Sequence, residues 1–171
     1  MAVSLFLKLK PVTKYKTTEN AEEPEEIRSR VRHTALNLLA RREHTILELQ
    51  HKLNRRGFSA DIVDTVLDEL VAENLLNETR YAEVYSHSRA DKGYGPLRIQ
   101  RELRERGVDD EIIAELLSHL DDIWMKKLTQ IQRKRFGEPL PKSLVEQARQ
   151  TRFLRHRGFT LDQIKQLFRE A

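Results

Sequence analysis

Apolar residues recur at helical spacing in three separate stretches. They are Ile62, Val63, Val66, Leu67 and Leu70, then Ile112, Ile113, Leu116, Leu117 and Leu120, then Ile164, Leu167 and Phe168. Each set lines one face of a 3.6-residue period, so each predicts an amphipathic helix. A shorter apolar pattern stands just before each stretch, as in Leu49 with Leu53 and Ile99 with Leu103. One more amphipathic helix precedes each pair, near residues 27–42, 78–91 and 121–136. The pattern therefore predicts three units of three helices.

A motif separates the second and third helix of each unit. It reads Leu53-Asn54-Arg55-Arg56-Gly57-Phe58, Leu103-Arg104-Glu105-Arg106-Gly107-Val108 and Leu154-Arg155-His156-Arg157-Gly158-Phe159. A period of this size marks a repeat architecture. The order is that of a helix ending. Glycine takes the left-handed backbone past the C-cap, and the leucine before it meets the apolar residue after it. Ser59, Asp109 and Thr160 follow as N-caps, with Asp61, Asp110, Glu111 and Asp162 in the next turn, where the helix dipole favours negative charge. The fold class expected is all-α, a tandem array of three helix-turn-helix-like repeats, elongated and curved. Its parts are an N-terminal extension over 1–26 and repeats over 27–77, 78–120 and 121–171.

Composition narrows this picture. The chain has 171 residues, 39% of them hydrophobic, which suits small cores that pack on neighbours rather than one large core. It has no cysteine, which removes disulfides and cysteine-ligated zinc and fits a cytoplasmic location. No apolar run reaches the roughly 18 residues of a membrane span. Residues 1–10 read as a short strand or a disordered end. Residues 11–26, with two prolines and five glutamates, read as a linker.

Charge is uneven. Of a net +4, residues 121–171 alone carry twelve basic and six acidic groups. A basic C-terminal third on a near-neutral body fits a polyanion or an acidic protein surface as a partner, and equally ordinary solubility. The motif glycine serves as a ruler for locating that charge. Nine, six and three residues before it stand Arg98, Arg101 and Arg104 in the second unit, and Arg149, Arg152 and Arg155 in the third. The first unit has Glu48, His51 and Asn54 there. These positions fan over about 120° of the helix surface, opposite the leucines, so the arginines project away from their own unit's core. A helix-dipole role suits Arg104 and Arg155 only, because that effect fades within the last turn. A solvated face and a phosphate- or carboxylate-binding surface both fit the remainder.

Other candidates lie nearby. In Lys92-Gly93-Tyr94-Gly95-Pro96, Gly95 can cap a helix and Pro96 fits its first position. Tyr94, flanked by Arg89, Lys92 and Arg98, is placed to stack on a base or to pack within the turn. Arg133, Lys134 and Arg135 form a basic run before the connector Phe136-Gly137-Glu138-Pro139-Leu140-Pro141, suited to phosphate or to capping their helix. The six histidines lack metal-ligand spacing. No nucleophile or acid–base pair forms a catalytic motif, and no cofactor or metal is expected. Trp124 reads as packing.

Several segments together resemble the RecX family, bacterial modulators of the RecA recombinase. They are Ala35-Leu36-Asn37-Leu38-Leu39-Ala40-Arg41-Arg42-Glu43-His44, Thr79-Arg80-Tyr81-Ala82, Ser88 through Ile99, the Phe136–Pro141 connector and Arg152 through Phe159. At Asn74 the family often has glycine. Asparagine is next best for a left-handed backbone, so that turn is expected to survive. The resemblance implies tandem three-helix units that bind the groove of the RecA filament on single-stranded DNA. It implies inhibition of RecA's ATPase and strand exchange, and so a negative role in recombination and the SOS response. Partners are then RecA, its filament and DNA directly, with no membrane and a monomeric protein. On the residues alone, a sequence-specific DNA-binding regulator and a protein–protein adaptor stay open.

Overall fold

Each Leu-x-x-basic-Gly-apolar motif ends a helix. In the computed structural model, which describes residues 23–169, the motif glycines Gly57, Gly107 and Gly158 have φ of 88°, 81° and 93°. Leu53, Leu103 and Leu154 are fully buried. In the second and third copies the amide after the glycine donates back to the leucine carbonyl, Val108 N to Leu103 O and Phe159 N to Leu154 O, both at 3.2 Å. The expected reading of residues 1–10 lies outside the described residues.

The described residues form helices and turns. The helices are α1 (Pro24–Leu39), α2 (Ile46–Asn54), α3 (Ala60–Ala72), α4 (Glu78–Asp91), α5 (Pro96–Arg104), α6 (Asp110–Ser118), α7 (Asp121–Phe136), α8 (Leu144–His156) and α9 (Leu161–Arg169). Consecutive triplets pack together, giving the tandem all-helical array that the periodicity predicts. α1 begins three residues before the expected helix. Pro24 stands in its first turn with Glu25 and Glu26, so residues read as linker act as a helix start. Of the expected N-caps, Asp109 accepts from Glu111 N at 2.7 Å, and Thr160 and Gln163 cap each other reciprocally. Ser59 occupies its cap without a side-chain bond. Asn74 adopts φ 57°, and Leu75 N and Leu76 N both donate to Leu70 O, so the turn that lacks the family's glycine closes on asparagine.

Three apolar clusters fill the array. Val31, Leu49, Leu53, Leu67 and Leu70 belong to the first, Ile99, Leu103, Ile113 and Trp124 to the second, and Leu128, Leu154, Phe159 and Ile164 to the third. Trp124 is fully buried, as packing requires, but it packs backward. It stands on α7 and enters the second cluster, while Leu128 one turn later enters the third. One helix thus joins two cores. Among the described residues no helix is long and apolar enough to cross a membrane.

The joints between units share one geometry. The motif turn of each later unit lies against the start of the preceding unit's second helix. A Cβ placed on Gly107 would stand 3.0 Å from Leu47 Cβ, and one on Gly158 would stand 2.4 Å from Arg98 Cβ and 2.6 Å from Arg98 N. The equivalent position on Gly57, in the first of the described units, meets nothing within 4 Å. Helix-start amides are satisfied across both joints. Ile46 N donates to the Glu78 carboxylate at 3.1 Å, and Gly95 N and Leu97 N donate to Arg157 O and Gly158 O, both at 2.9 Å. The first four amides of a helix lack partners of their own. Here the following unit supplies acceptors for some of them.

Candidate nucleic-acid interface

The joint between the second and third units gathers the densest charge. Gly95 caps α5 and Pro96 opens it, as their residue types predict. This sets Arg98 one turn into α5. Arg98 lies at the joint rather than in solvent: its backbone and Cβ face Gly158 of the next unit, its guanidinium turns back to Glu102 and Tyr94 of its own, and its side chain is only 27% exposed. Its Nε donates to Glu102 Oε1 at 3.0 Å. Arg89, from α4, donates to the same carboxylate through Nε at 2.6 Å and through Nη2. The Tyr85 hydroxyl donates to Glu102 Oε2 at 2.9 Å.

Glu102 is therefore a buried acid held by three donors. Burial pushes its pKa up, but hydrogen bonds from Arg89, Arg98 and Tyr85 outweigh this and hold the carboxyl at about 2. Tyr85 shifts the other way, to about 12, through burial and its bond to the carboxylate. Nothing in the sequence separates Glu102 from the other acids of a charged helix. Only its place four residues after Arg98 hints at a pair.

Tyr94 sits inside this knot. The guanidinium carbons of Arg89, Arg98 and Arg157 lie 3.9, 4.2 and 5.4 Å from its ring centroid. Arg157, outside the predicted set, also donates Nη1 to Lys92 O at 3.2 Å. The pattern continues both ways. Arg157 lies 5.3 Å from the Phe153 ring, Phe153 meets Phe136 edge-on at 5.3 Å, and Arg149 lies 5.7 Å over Phe136. Toward the second unit, Arg106 lies 4.6 Å over Tyr85, which stacks on Tyr81 at 5.8 Å. The result is a ladder of interleaved arginines and aromatics across two units, with the rings paired at both ends. Sequence reasoning missed Phe136, Phe153, Arg157, Arg106 and Tyr85, whose contacts are mostly long in sequence. The local signals are two four-residue spacings, Phe153 with Arg157 at the end of α8 and Tyr81 with Tyr85 on α4.

The remaining predicted residues stand on the outer surface. Arg101 is exposed and 3.5 Å from Glu105, and Arg104 is exposed and 2.5 Å from Asp110. Arg133 pairs with Glu138 at 2.5 Å, and Arg149 stands 3.3 Å from Glu146. Pairs this exposed contribute ~0–1 kcal/mol and yield easily to another anion. Lys92, Lys134, Arg135, Arg152 and Arg155 are exposed, and among the described residues no side-chain hydrogen bond or ion pair engages them. In the first unit the same register differs. Glu48, at the position of Arg98, pairs with Arg42 and lies 2.9 Å from Lys52. Among the predicted residues, unpaired positive charge thus lies mostly on α7 and α8. Among the described residues no group of acids and histidines is placed to hold a metal ion.

Comparison with known proteins places these features in a family. Residues 32–70 match the model of the first three-helix domain of RecX, and residues 77–117 match that of its second. The regulatory protein RecX of Halorhodospira halophila is 47% identical over 135 residues, covering 79% of this chain and 84% of that protein. Its counterpart from Pseudomonas savastanoi pv. phaseolicola is 45% identical over 137 residues, covering 80% and 88%. The crystal structure of RecX from Lactobacillus salivarius shares the fold, with a TM-score of 0.75 at 24% identity over 85% of this chain and 97% of that one. Two matched three-helix domains in chain order, and identity above two-fifths along four-fifths of the length, establish that the chain belongs to the RecX family of regulatory proteins.

Proposed function

We propose that this protein is a non-enzymatic regulator of RecA that binds in the groove of the RecA filament on single-stranded DNA and inhibits its ATPase and strand exchange. The observation that carries the reading is the 45–47% identity to regulatory RecX proteins along most of the chain. The charge distribution supports it. Arg135, Arg152 and Arg155 leave planar donor forks open on the outer face, the form of arginine that binds phosphate or carboxylate bidentately. Three units in tandem, over 27–77, 78–120 and 121–171, suit a groove that passes neighbouring protomers.

The test is a titration of RecA's DNA-dependent ATPase. Suppression at substoichiometric ratios is the expected result. Unchanged ATPase and unchanged strand exchange over the full titration would overturn the reading. The variant that probes the surface combines Arg101→Ala, Arg149→Ala, Arg152→Ala and Arg155→Ala. It omits Arg98, whose side chain belongs to the joint. This variant is expected to unfold near the parent temperature and to inhibit weakly.

A further inference from the structure

The two halves of the arginine–aromatic ladder differ in what their guanidiniums still have to offer. In the second unit, Glu102 engages Arg89 and Arg98. In the third unit, Arg157 makes one hydrogen bond, to the Lys92 carbonyl, and Arg149 faces only the partly exposed Glu146 at 3.3–3.5 Å. Both lie over aromatic rings, which fixes the guanidinium while leaving edge donors open. Phe136 and Phe153 are half-buried, so each keeps some ring surface outside the core. The helix that carries Arg149 also carries the unpaired Arg152 and Arg155.

Fixed phosphate donors beside accessible aromatic edges, on the most basic unit, match one ligand chemistry. Single-stranded nucleic acid offers both an anionic backbone and unstacked bases. A duplex offers the same phosphates but keeps its bases stacked inside. An acidic protein surface would use the arginines but not the ring surface that Phe136 and Phe153 leave outside the core. We infer that Arg149, Arg157, Phe136 and Phe153 form a single-strand contact on the third unit that runs onto the joint at Tyr94. This rests on the reading of the protein as a regulator of a filament on single-stranded DNA. To the direct DNA contact that the family resemblance implies, it adds the residues and the place.

The experiment measures anisotropy of a labelled oligothymidylate with the full-length protein and no RecA. The double variant Phe136→Leu with Phe153→Leu keeps apolar volume and removes both rings. Base–aromatic stacking is worth ~1–3 kcal/mol per base, so losing one stacked base lowers affinity about 5- to 150-fold. The salt slope should barely change. Arg149→Ala should instead flatten the log–log salt slope by about 0.7, the value for one single-strand phosphate contact. Circular dichroism at the assay temperature checks that both variants remain helical. The inference is overturned if the phenylalanine variant binds oligothymidylate as the parent does, or if the parent binds a duplex of equal length as tightly. It is also overturned if the variants bind the bare oligonucleotide normally and lose only RecA inhibition, because the surface then meets RecA. A parent protein that binds the oligonucleotide as expected but leaves RecA unaffected sinks the regulatory reading and leaves this contact standing.

Discussion

Replacing the three motif glycines one at a time with alanine separates the cost of the turn from the cost of the joint. All three have positive φ, so each alanine bears a left-handed backbone, at about 1–2 kcal/mol. At Gly57 that is the whole effect, because a Cβ there meets nothing within 4 Å. At Gly158 the Cβ would stand 2.4 Å from Arg98 Cβ and 2.6 Å from Arg98 N. Backbone cannot swing aside, so the units must part slightly, and overpacking of this kind adds roughly 1–3 kcal/mol. Gly107 falls between, since the Cβ there would stand 3.0 Å from Leu47 Cβ and Cδ2, a milder clash than the one at Gly158. For a chain of this length each kcal/mol lowers the melting temperature by about 2–4 °C. Gly57→Ala should therefore lose roughly 5 °C and Gly158→Ala roughly 10 °C, with Gly107→Ala intermediate. Thermal unfolding followed at 222 nm and urea midpoints both read the series. Equal losses at Gly57 and Gly158 would refute the claim that the later turn seats directly on α5.

Three further outcomes are expected. Glu102→Gln leaves two arginines facing a neutral group; rupture of a fully buried pair costs 3–5 kcal/mol, and partial exposure of these arginines reduces that to about 2–3 kcal/mol. Because the folded carboxyl titrates at about 2, below its ordinary 4.5, its stabilisation is complete above pH 4.5 and is lost as pH falls toward 2. The gap between parent and variant in urea unfolding should close over that window, and a gap independent of pH would contradict the assignment. Trp124→Ala should cost about 3–5 kcal/mol and loosen the second core although the residue stands on α7, a loss measurable by hydrogen exchange at Ile99 and Leu103; exchange that changes only in the third unit would refute the backward packing. Arg152→Ala with Arg155→Ala should leave stability within about 0.5 kcal/mol of the parent and raise the concentration needed to inhibit RecA's ATPase. A loss of stability in that variant would mean that these side chains hold the fold.

Helices and their endings were legible because their causes are local. Leucine spacing, a glycine past the C-cap and a hydroxyl or carboxylate at the next N-cap act within a few residues, and Leu103 with Val108 shows all of them. The start of α1 came three residues earlier than read because proline and glutamates are common both to linkers and to first turns. The joints were not legible. Leu97 N meets Gly158 O across sixty residues of sequence, and no periodicity encodes that pairing. In the arginine register, Arg101, Arg104, Arg152 and Arg155 are exposed, whereas Arg98 turns back to Glu102 and Tyr94 of its own unit. What each position meets depends on the neighbour, so Arg98 entered a joint while Arg152 stayed outside. Glu102 was invisible because its significance lies wholly in the three donors that surround it.

The acceptors for α5's first amides lie on residues 157 and 158, which gives the array a direction in time as well as in space. A chain emerging from the ribosome makes α5 long before it makes Arg157 and Gly158. Until that turn arrives, the helix start remains open to water and the second unit is an unfinished object. α2 waits less, because Thr45 already accepts from Glu48 N and Glu78 follows soon after. α8 waits for nothing, since its own Ser143 accepts from Glu146 N at 3.4 Å. Synthesis thus closes these three units from behind, the first two sealed by their successors and the third by a hydroxyl of its own.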